Sequence, residues 1–273
     1  MIPEHNEKRN IERFSGFADV YDTYRPEAPA QVIPILTRYA GERPSHVVDV
    51  GCGTGLSTFI WAEHADRIIG AEPNEDMRAV AEQKLQQSGL QNISFIQGYS
   101  NQLELETGTV DIITCSQSFH WMEPESTLKE ASRLLREGGV FAAYDCDWPP
   151  TLSWELEVEY MNLIAAAEEI LEENVPSDQR ASKRNKEEHL KNLQQSGVFR
   201  YTKEVVFHHT EPCDAERYVG IAVSQGGLQA ALKAGLGEQF ADDLASFQRN
   251  ADAYFQGRTL EVLFSYRMRL GVK

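Results

Sequence analysis

Three glycines in five positions, Gly51, Gly53 and Gly55, follow directly on the β-branched run of "HVVDVG" (46–51). A buried strand that ends in a backbone without side chains leaves amide N–H groups bare at its carboxyl end, where a ligand can approach closely. The runs that follow fit such a strand. "RIIGAE" (67–72), "ISFIQG" (93–98), "VDIITCS" (110–116) and "GVFAAYD" (139–145) are short and mostly too apolar for half-exposed strands. Between them lie the helix-like "STFIWAEHA", "NEDMRAVAEQKLQQSG" and "ESTLKEASRLLREGG". In the second of these, Met77, Val80, Ala81, Lys84 and Leu85 keep the i, i+3, i+4 spacing, and the third closes on Arg133, Arg136 and Gly138-Gly139, a helix stop. Strands alternating with helices of this length read as βαβ units and a parallel sheet, an α/β doubly wound fold.

After Asp147 the pattern changes. "WELEVEYMNLIAAAEEILEE" (154–173) reads as one long helix, and the polar stretch up to Gly197 as a solvated helix face. "RYTKEVVFHHT" (200–210) alternates like a strand, with Tyr201, Lys203, Val205 and Phe207 on one side. Helical sequence fills 214–255, and "TLEVLFSYRMRLGV" reads as a last strand. A seventh strand returning from the sixth as a hairpin is expected to run antiparallel. At 273 residues one core with an elaboration is expected. Residues 1–147 read as an N-terminal segment and a ligand-binding core. Residues 148–273 read as the last strands of that core with helical cap segments inserted at about 148–197 and 214–255.

Twenty-six Lys and Arg against 42 Asp and Glu give a net charge of −16. A surface that acidic disfavours nucleic acid and anionic membrane, yet leaves room for a small anion held by one or two local Arg or His residues. Cys52, Cys115, Cys146 and Cys213 form no C-x-x-C pair and read as reduced small hydrophobes. The first residues, "MIPEHNEKRNIERF", lack an apolar signal core, and no apolar run approaches the ~18 residues of a membrane span. A cytoplasmic protein is expected. "CSQSFHW" has no glycine-flanked nucleophile elbow. Asp145 and Asp147, flanking Cys146, supply too few oxygens for a magnesium site, so no metal is expected.

Two adenosine cofactors use glycine loops of this kind. Leu56 stands where the third glycine of a dinucleotide loop would fall, which counts against a nicotinamide cofactor. Glu72, at the end of the second strand, can accept both ribose hydroxyls of either.

"VVDVGCGTG", "GAEPNEDM", "IQGYSNQL" and "CSQSFHW" together resemble the class I S-adenosylmethionine-dependent methyltransferases, and more narrowly the small-molecule group that includes trans-aconitate methyltransferases. The likeness runs over about 14–145, counting "FSGFADVYDTYRP". It implies a seven-stranded, mostly parallel, Rossmann-like methyltransferase sheet with a helical cap. It also implies S-adenosyl-L-methionine as cofactor, with Asp49 and the loop Gly51-Cys52-Gly53-Thr54-Gly55 around its methionine portion and sugar. Glu72, with Pro73 beside it, would take the ribose hydroxyls, and Met77 would pack near adenine. Tyr21 belongs to the N-terminal segment, a lid that folds over the cofactor. Relatives often place acidic residues where this chain has Tyr99 and Asn101, so Tyr99 or the backbone of Ser100 would replace the carboxylate that meets adenine. Ser116 and Gln117 would touch the methionine end.

"FHW" (119–121) follows the fourth strand at the carboxyl edge, where ligands of open α/β sheets sit. His120 reads as a general base, an anion donor or a structural residue, and Trp121 as an apolar wall. Tyr24 and Arg25 precede the first strand, Arg25 as a carboxylate clamp or a surface ion pair, and Trp148 follows the fifth. The function expected is methyl transfer to a small-molecule acceptor, with a carboxylate oxygen as the candidate atom, by a monomer or homodimer. An NAD-dependent oxidoreductase and a non-catalytic cofactor-binding scaffold are the alternatives.

Overall fold

Seven strands form one sheet in the order β3-β2-β1-β4-β5-β7-β6 in the computed structural model, which describes residues 2–273. They are β1 (His46–Val50), β2 (Arg67–Ala71), β3 (Ile93–Ile96), β4 (Val110–Ser116), β5 (Leu135–Thr151), β6 (Tyr201–Cys213) and β7 (Leu260–Val272). Strands β1 to β5 pair in parallel. Strand β7 runs antiparallel to both neighbours, with Val140 opposite Val272 on one side and Tyr201 opposite Val272 on the other. It inserts between β5 and β6, so β6 again shares the direction of the parallel strands.

Strand β1 is buried along its whole length, as its three valines favour, with Asp49 satisfied inside it by three hydroxyls. Val47 faces one layer, with Ile68, Ile112 and Val140. Val48 faces the other, with Ile69, Ile113 and Phe141. The first layer holds the helices α3 (Val32–Ala40), α6 (Trp154–Asn174), α8 (Ala215–Val223), α9 (Gly226–Lys233) and α10 (Ala241–Phe255). The second holds α5 (Pro124–Leu134) and α7 (His189–Gln195). Helix α4 (Glu75–Ser88) is capped by Asn74, whose side chain accepts from the amide of Met77. Helices α1 (Lys8–Glu12) and α2 (Ala18–Tyr24) precede the sheet and lie at its carboxyl edge with α6, α8 and α9.

Three local expectations give way. "STFIWAEHA" makes only a 3-10 turn at Phe59–Trp61, because Ser57 and Thr58 donate their hydroxyls to Asp49 and hold the chain against the sheet. Helix α5 stops at Leu134, and Gly138, with φ +76°, lies inside the extended segment that becomes β5. The polar stretch after α6 is not one solvated helix. Residues 176–185 run without helix beyond Pro176, and α7 turns His189 and Leu193 inward.

Candidate functional site

The glycine loop lies at the carboxyl end of β1. Gly51 and Gly53 adopt φ of +67° and +57°, a left-handed backbone. A Cβ on Gly51 would meet the Cβ of Ser118 at 2.7 Å. Glu72 is buried behind the loop. One carboxylate oxygen accepts from the amide of Gly53 at 3.0 Å and the other from the amide of Asn74 at 2.8 Å. Burial pushes the Glu72 carboxyl up to about 7, against these two amides and Arg78. Each oxygen keeps a lone pair for a further donor.

The cleft spans about 1020 Å³, counting the solvent at its open mouth, and is bordered by Tyr21, Gly51, Cys52, Gly53, Glu72, Pro73, Met77, Ser100, Ser116 and Gln117. The bare loop, the fixed carboxylate and the apolar Leu56, Pro73 and Met77 fit an adenosine bearing a short charged tail. The sequence did not signal Asn6, Asn10, Ile11 or Phe14, which close the cleft from the N-terminal side. Asn74 ties that segment down by donating to the carbonyl of Ile11 and the hydroxyl of Ser15, both at 2.9 Å.

Four expected cofactor residues do not border the cleft. Asp49 is enclosed beneath the loop, where it accepts from Ser57, Thr58 and Thr114 at 2.6–2.8 Å, and burial raises its pKa against those three hydroxyls. It braces the loop from behind. Thr54 is buried, and Gly55 lies under Phe59 and Phe95. Tyr99 turns aside into a bridge with Gln102, while its neighbours Gly98 and Ser100 border the cleft.

A second, larger cavity, about 2250 Å³ counting the solvent at its mouth, lies under the cap and shares Phe14, Tyr21, Gln117 and Trp121 with the cleft. It takes in Arg25, His120 and Trp148 as the sequence suggested. Tyr24 points away, with its hydroxyl 3.2 Å from Glu216 and its ring against Gly220. Gln117 has φ +49°, uncommon for a side chain of this size, and accepts from the indole of Trp148 at 3.3 Å.

Seven cationic side chains line this cavity against three acidic ones, the reverse of the chain's overall balance. Arg13 stacks 3.5 Å over the Trp121 ring, and its buried Nε has no partner. Arg25 donates from Nε and Nη2 to the hydroxyl and carbonyl of Ser224, and lies 4.7 Å over Trp148. Among the described residues no carboxylate lies within ion-pair distance of Arg13, Arg25 or Lys183. Burial, and then the neighbouring Arg25, bring Arg13 down to about 9; burial and Lys186 likewise lower Lys183. Unpaired cations that lower one another mark a place prepared for an anion.

His120 has its Nδ1 3.2 Å from Asp145, deep in the wall of the same cavity. Lys186 lies 2.8 Å from that carboxylate oxygen; His189 and Arg269 lie 3.6 and 4.0 Å from the other. Burial acts to raise Asp145, but His120 and Lys186 outweigh it and hold the carboxyl well below the usual range. Burial brings His120 down to about 3, with Lys186 and Lys183 adding to it and Asp145 opposing. His189 falls to about 4, chiefly by burial. Both imidazoles are therefore neutral near pH 7. His120, Asp145 and His189 are metal-ligand types gathered within 4.8 Å, but Lys186 and Arg269 already supply the positive charge that such a cation would bring. All four cysteines are buried and unpaired.

Residues 48–143 match the methyltransferase domain family. Over that stretch, about a third of its length, the chain is similar to S-adenosylmethionine-dependent methyltransferases, and the match supports S-adenosylmethionine as cofactor. A Saccharomyces cerevisiae protein named "probable S-adenosylmethionine-dependent methyltransferase CRG1" is 31% identical over 125 residues, 45% of this chain and 43% of that protein. The chain spans about half the length of the curated relatives it matches. A structure from Anaeromyxobacter dehalogenans, assigned as a type II methyltransferase, superposes with a TM-score of 0.66 at 20% identity, covering 91% of this chain and 98% of that one. Haemonchus contortus phosphoethanolamine N-methyltransferase 2, solved with S-adenosylhomocysteine, superposes at 0.57 and 15% identity, over 97% of this chain and 60% of that one. At these identities the structural likeness is one of fold. Among the described residues no helix is long and apolar enough to cross a membrane.

Proposed function

We propose that this protein transfers a methyl group from S-adenosylmethionine to a carboxylate oxygen of a small organic acid. The observation that carries the reading is the cluster of unpaired cations, Arg13, Arg25 and Lys183, in a cavity that opens onto the cofactor cleft. When bound, the cofactor supplies a methyl carbon already activated by its sulfonium. The protein's own task is then alignment and the exclusion of water. Arg25 is held rigidly by Ser224 through Nε and Nη2, which leaves Nη1 to meet an acid. Arg13, fixed on Trp121, lies where the two cavities meet. Phe14, Tyr21 and Trp121 wall that junction with aromatic surface.

A carboxylate is ionised at pH 7 and needs no base. This agrees with His120, which at about 3 is neutral but too weakly basic to remove a proton efficiently. The decisive experiment offers organic acids, phenols and amines with labelled S-adenosylmethionine and looks for base-labile methyl esters. Acids as the productive class would uphold the reading. Turnover confined to phenols or amines would overturn it, and saturable cofactor binding without turnover of any acceptor would favour a scaffold.

A further inference from the structure

The acceptor cavity has a lining of two unlike parts. Arg13, Arg25 and Lys183 form one. Beside them, helix α6 presents Met161, Ile164 and Ala165 to the same cavity. Trp154, Val158 and Met161 are 72, 41 and 49% exposed, and at i, i+4 and i+7 they continue the face of Ala165 toward the start of the helix. Exposed large apolar side chains in a continuous stripe are unusual on a protein that carries 25% charged residues, and such a stripe running out of a ligand cavity marks a binding track. Glu168 and Glu172 border the cavity at its other end, and Glu172 is paired with Arg180; Glu155, Glu157 and Glu159 interleave with the stripe near the helix start, where they accept from Ser153, the amide of Leu152 and Asn250.

The level of Arg13 on this helix is fixed by close packing. A Cβ on Gly226 would overlap the Arg13 guanidinium, and one on Gly227 would meet the Glu168 side chain at 2.7 Å. Arg13 therefore lies near the Glu168 turn, and the apolar stripe leads away from it toward Trp154. At ~1.5 Å rise per residue that track is on the order of 20 Å long.

We propose that the acceptor is an amphiphilic acid, with its anionic head among Arg13, Arg25 and Lys183 and an extended apolar tail laid along α6 past Ile164 and Met161. The inference rests on the anionic acceptor read above and adds the tail, which the cations by themselves do not require. The arrangement places the head at the junction with the cofactor cleft and lets the tail leave by the cavity mouth.

The test is binding of butanoate, octanoate and dodecanoate, below their micellar concentrations, to the protein loaded with S-adenosylhomocysteine, followed by calorimetry. Affinity should rise by about twofold or more per added methylene between butanoate and octanoate, given the usual worth of a buried CH₂. Octanol, with no anion, should bind at least tenfold more weakly than octanoate. Met161→Glu, a change at a half-exposed position that the fold tolerates, should weaken dodecanoate several-fold and leave butanoate unchanged. A flat chain-length series, tighter binding of short dicarboxylates, or octanol binding as well as octanoate would overturn the proposal. Ester formation is scored separately on the same acids. A steep series without methyl esters keeps the amphiphilic anion and removes carboxyl methylation instead.

Discussion

The cofactor cleft and the cavity proposed for the acceptor meet at Phe14, Tyr21, Gln117 and Trp121, yet they are built by opposite means. The cleft draws on neighbouring strand ends and is fixed largely by backbone. Glu72 is held by two amides, and the loop turns on glycine conformations with Asp49 bracing it from below. The cavity gathers residues from Arg9 to Ala234 and is fixed by side chains. Arg25 is set by Ser224, and Asn10 joins the cap through the backbone of Ser182 at 2.8 and 3.1 Å. A site made of backbone changes little when surrounding side chains vary. One assembled from distant side chains is retuned by single substitutions. The comparison suggests a constant donor half and an adjustable acceptor half on one sheet.

The sharpest way to break that division is Gly53→Val. A branched side chain at φ +57°, with Met77 3.2 Å from its Cβ, has no room in the cleft. Affinity for S-adenosylmethionine should fall a hundredfold or more, while circular dichroism and the melting transition stay near wild type. Retained affinity would mean that the loop is only a turn.

Arg13→Met should act on the other half alone. Losing one charge-assisted contact, roughly 1.5–3 kcal/mol, lowers kcat/KM for an acid about ten- to a hundredfold. The cofactor Kd should not move. A large change in that Kd would show that the halves are not separable.

Glu72→Gln should weaken cofactor binding about tenfold at pH 8. Its pH dependence is more telling. The wild-type carboxyl titrates near 7, and two donated hydroxyls would favour its ionised form. Affinity should therefore rise with pH through about 7 and level off above it, whereas the glutamine variant should be flat there. A wild-type profile that is also flat between pH 6 and 8 would detach Glu72 from the ribose.

The smallest effect is expected of His120→Gln. With a carboxylate acceptor, turnover should fall only several-fold and its pH profile near 6.5 should be unchanged. A loss of a hundredfold or more, with disappearance of an acidic limb, would make His120 a base and overturn the choice of acceptor.

Much of the cofactor half is legible in the sequence because its information is local. Alternating strand and helix patterns give the parallel sheet, and Gly51, Gly53 and Glu72 announce themselves by spacing. Asp49 reads from the sequence as a ligand neighbour, whereas its partners here are the hydroxyls of the turn after the loop and of Thr114 on the adjoining strand. The acceptor half left little local trace. "ASKRNK" reads as a solvated charge run, and only closure of the cap over the sheet turns Lys183 and Lys186 inward. Arg13 sits in a charged N-terminal stretch with no motif around it, and its position depends on Gly226, far along the chain. His189 is likewise invisible until α7 packs.

The insertion of β7 between β5 and β6 also sets the order in which the molecule can assemble. Val140 must wait for Val272, roughly 130 residues later, and pairing over such separations is slow because the loop must close before any contact forms. Until then β5 presents an open edge, and β6 has no neighbour through which to join the sheet. A chain emerging from the ribosome can therefore shape its glycine loop early, while closure of the sheet comes late, after the cap helices have been made. Refolding should show a fast phase that recovers the parallel half and a slower one that recovers the acceptor cavity, and the interval between them is when this protein is most open to edge-to-edge association.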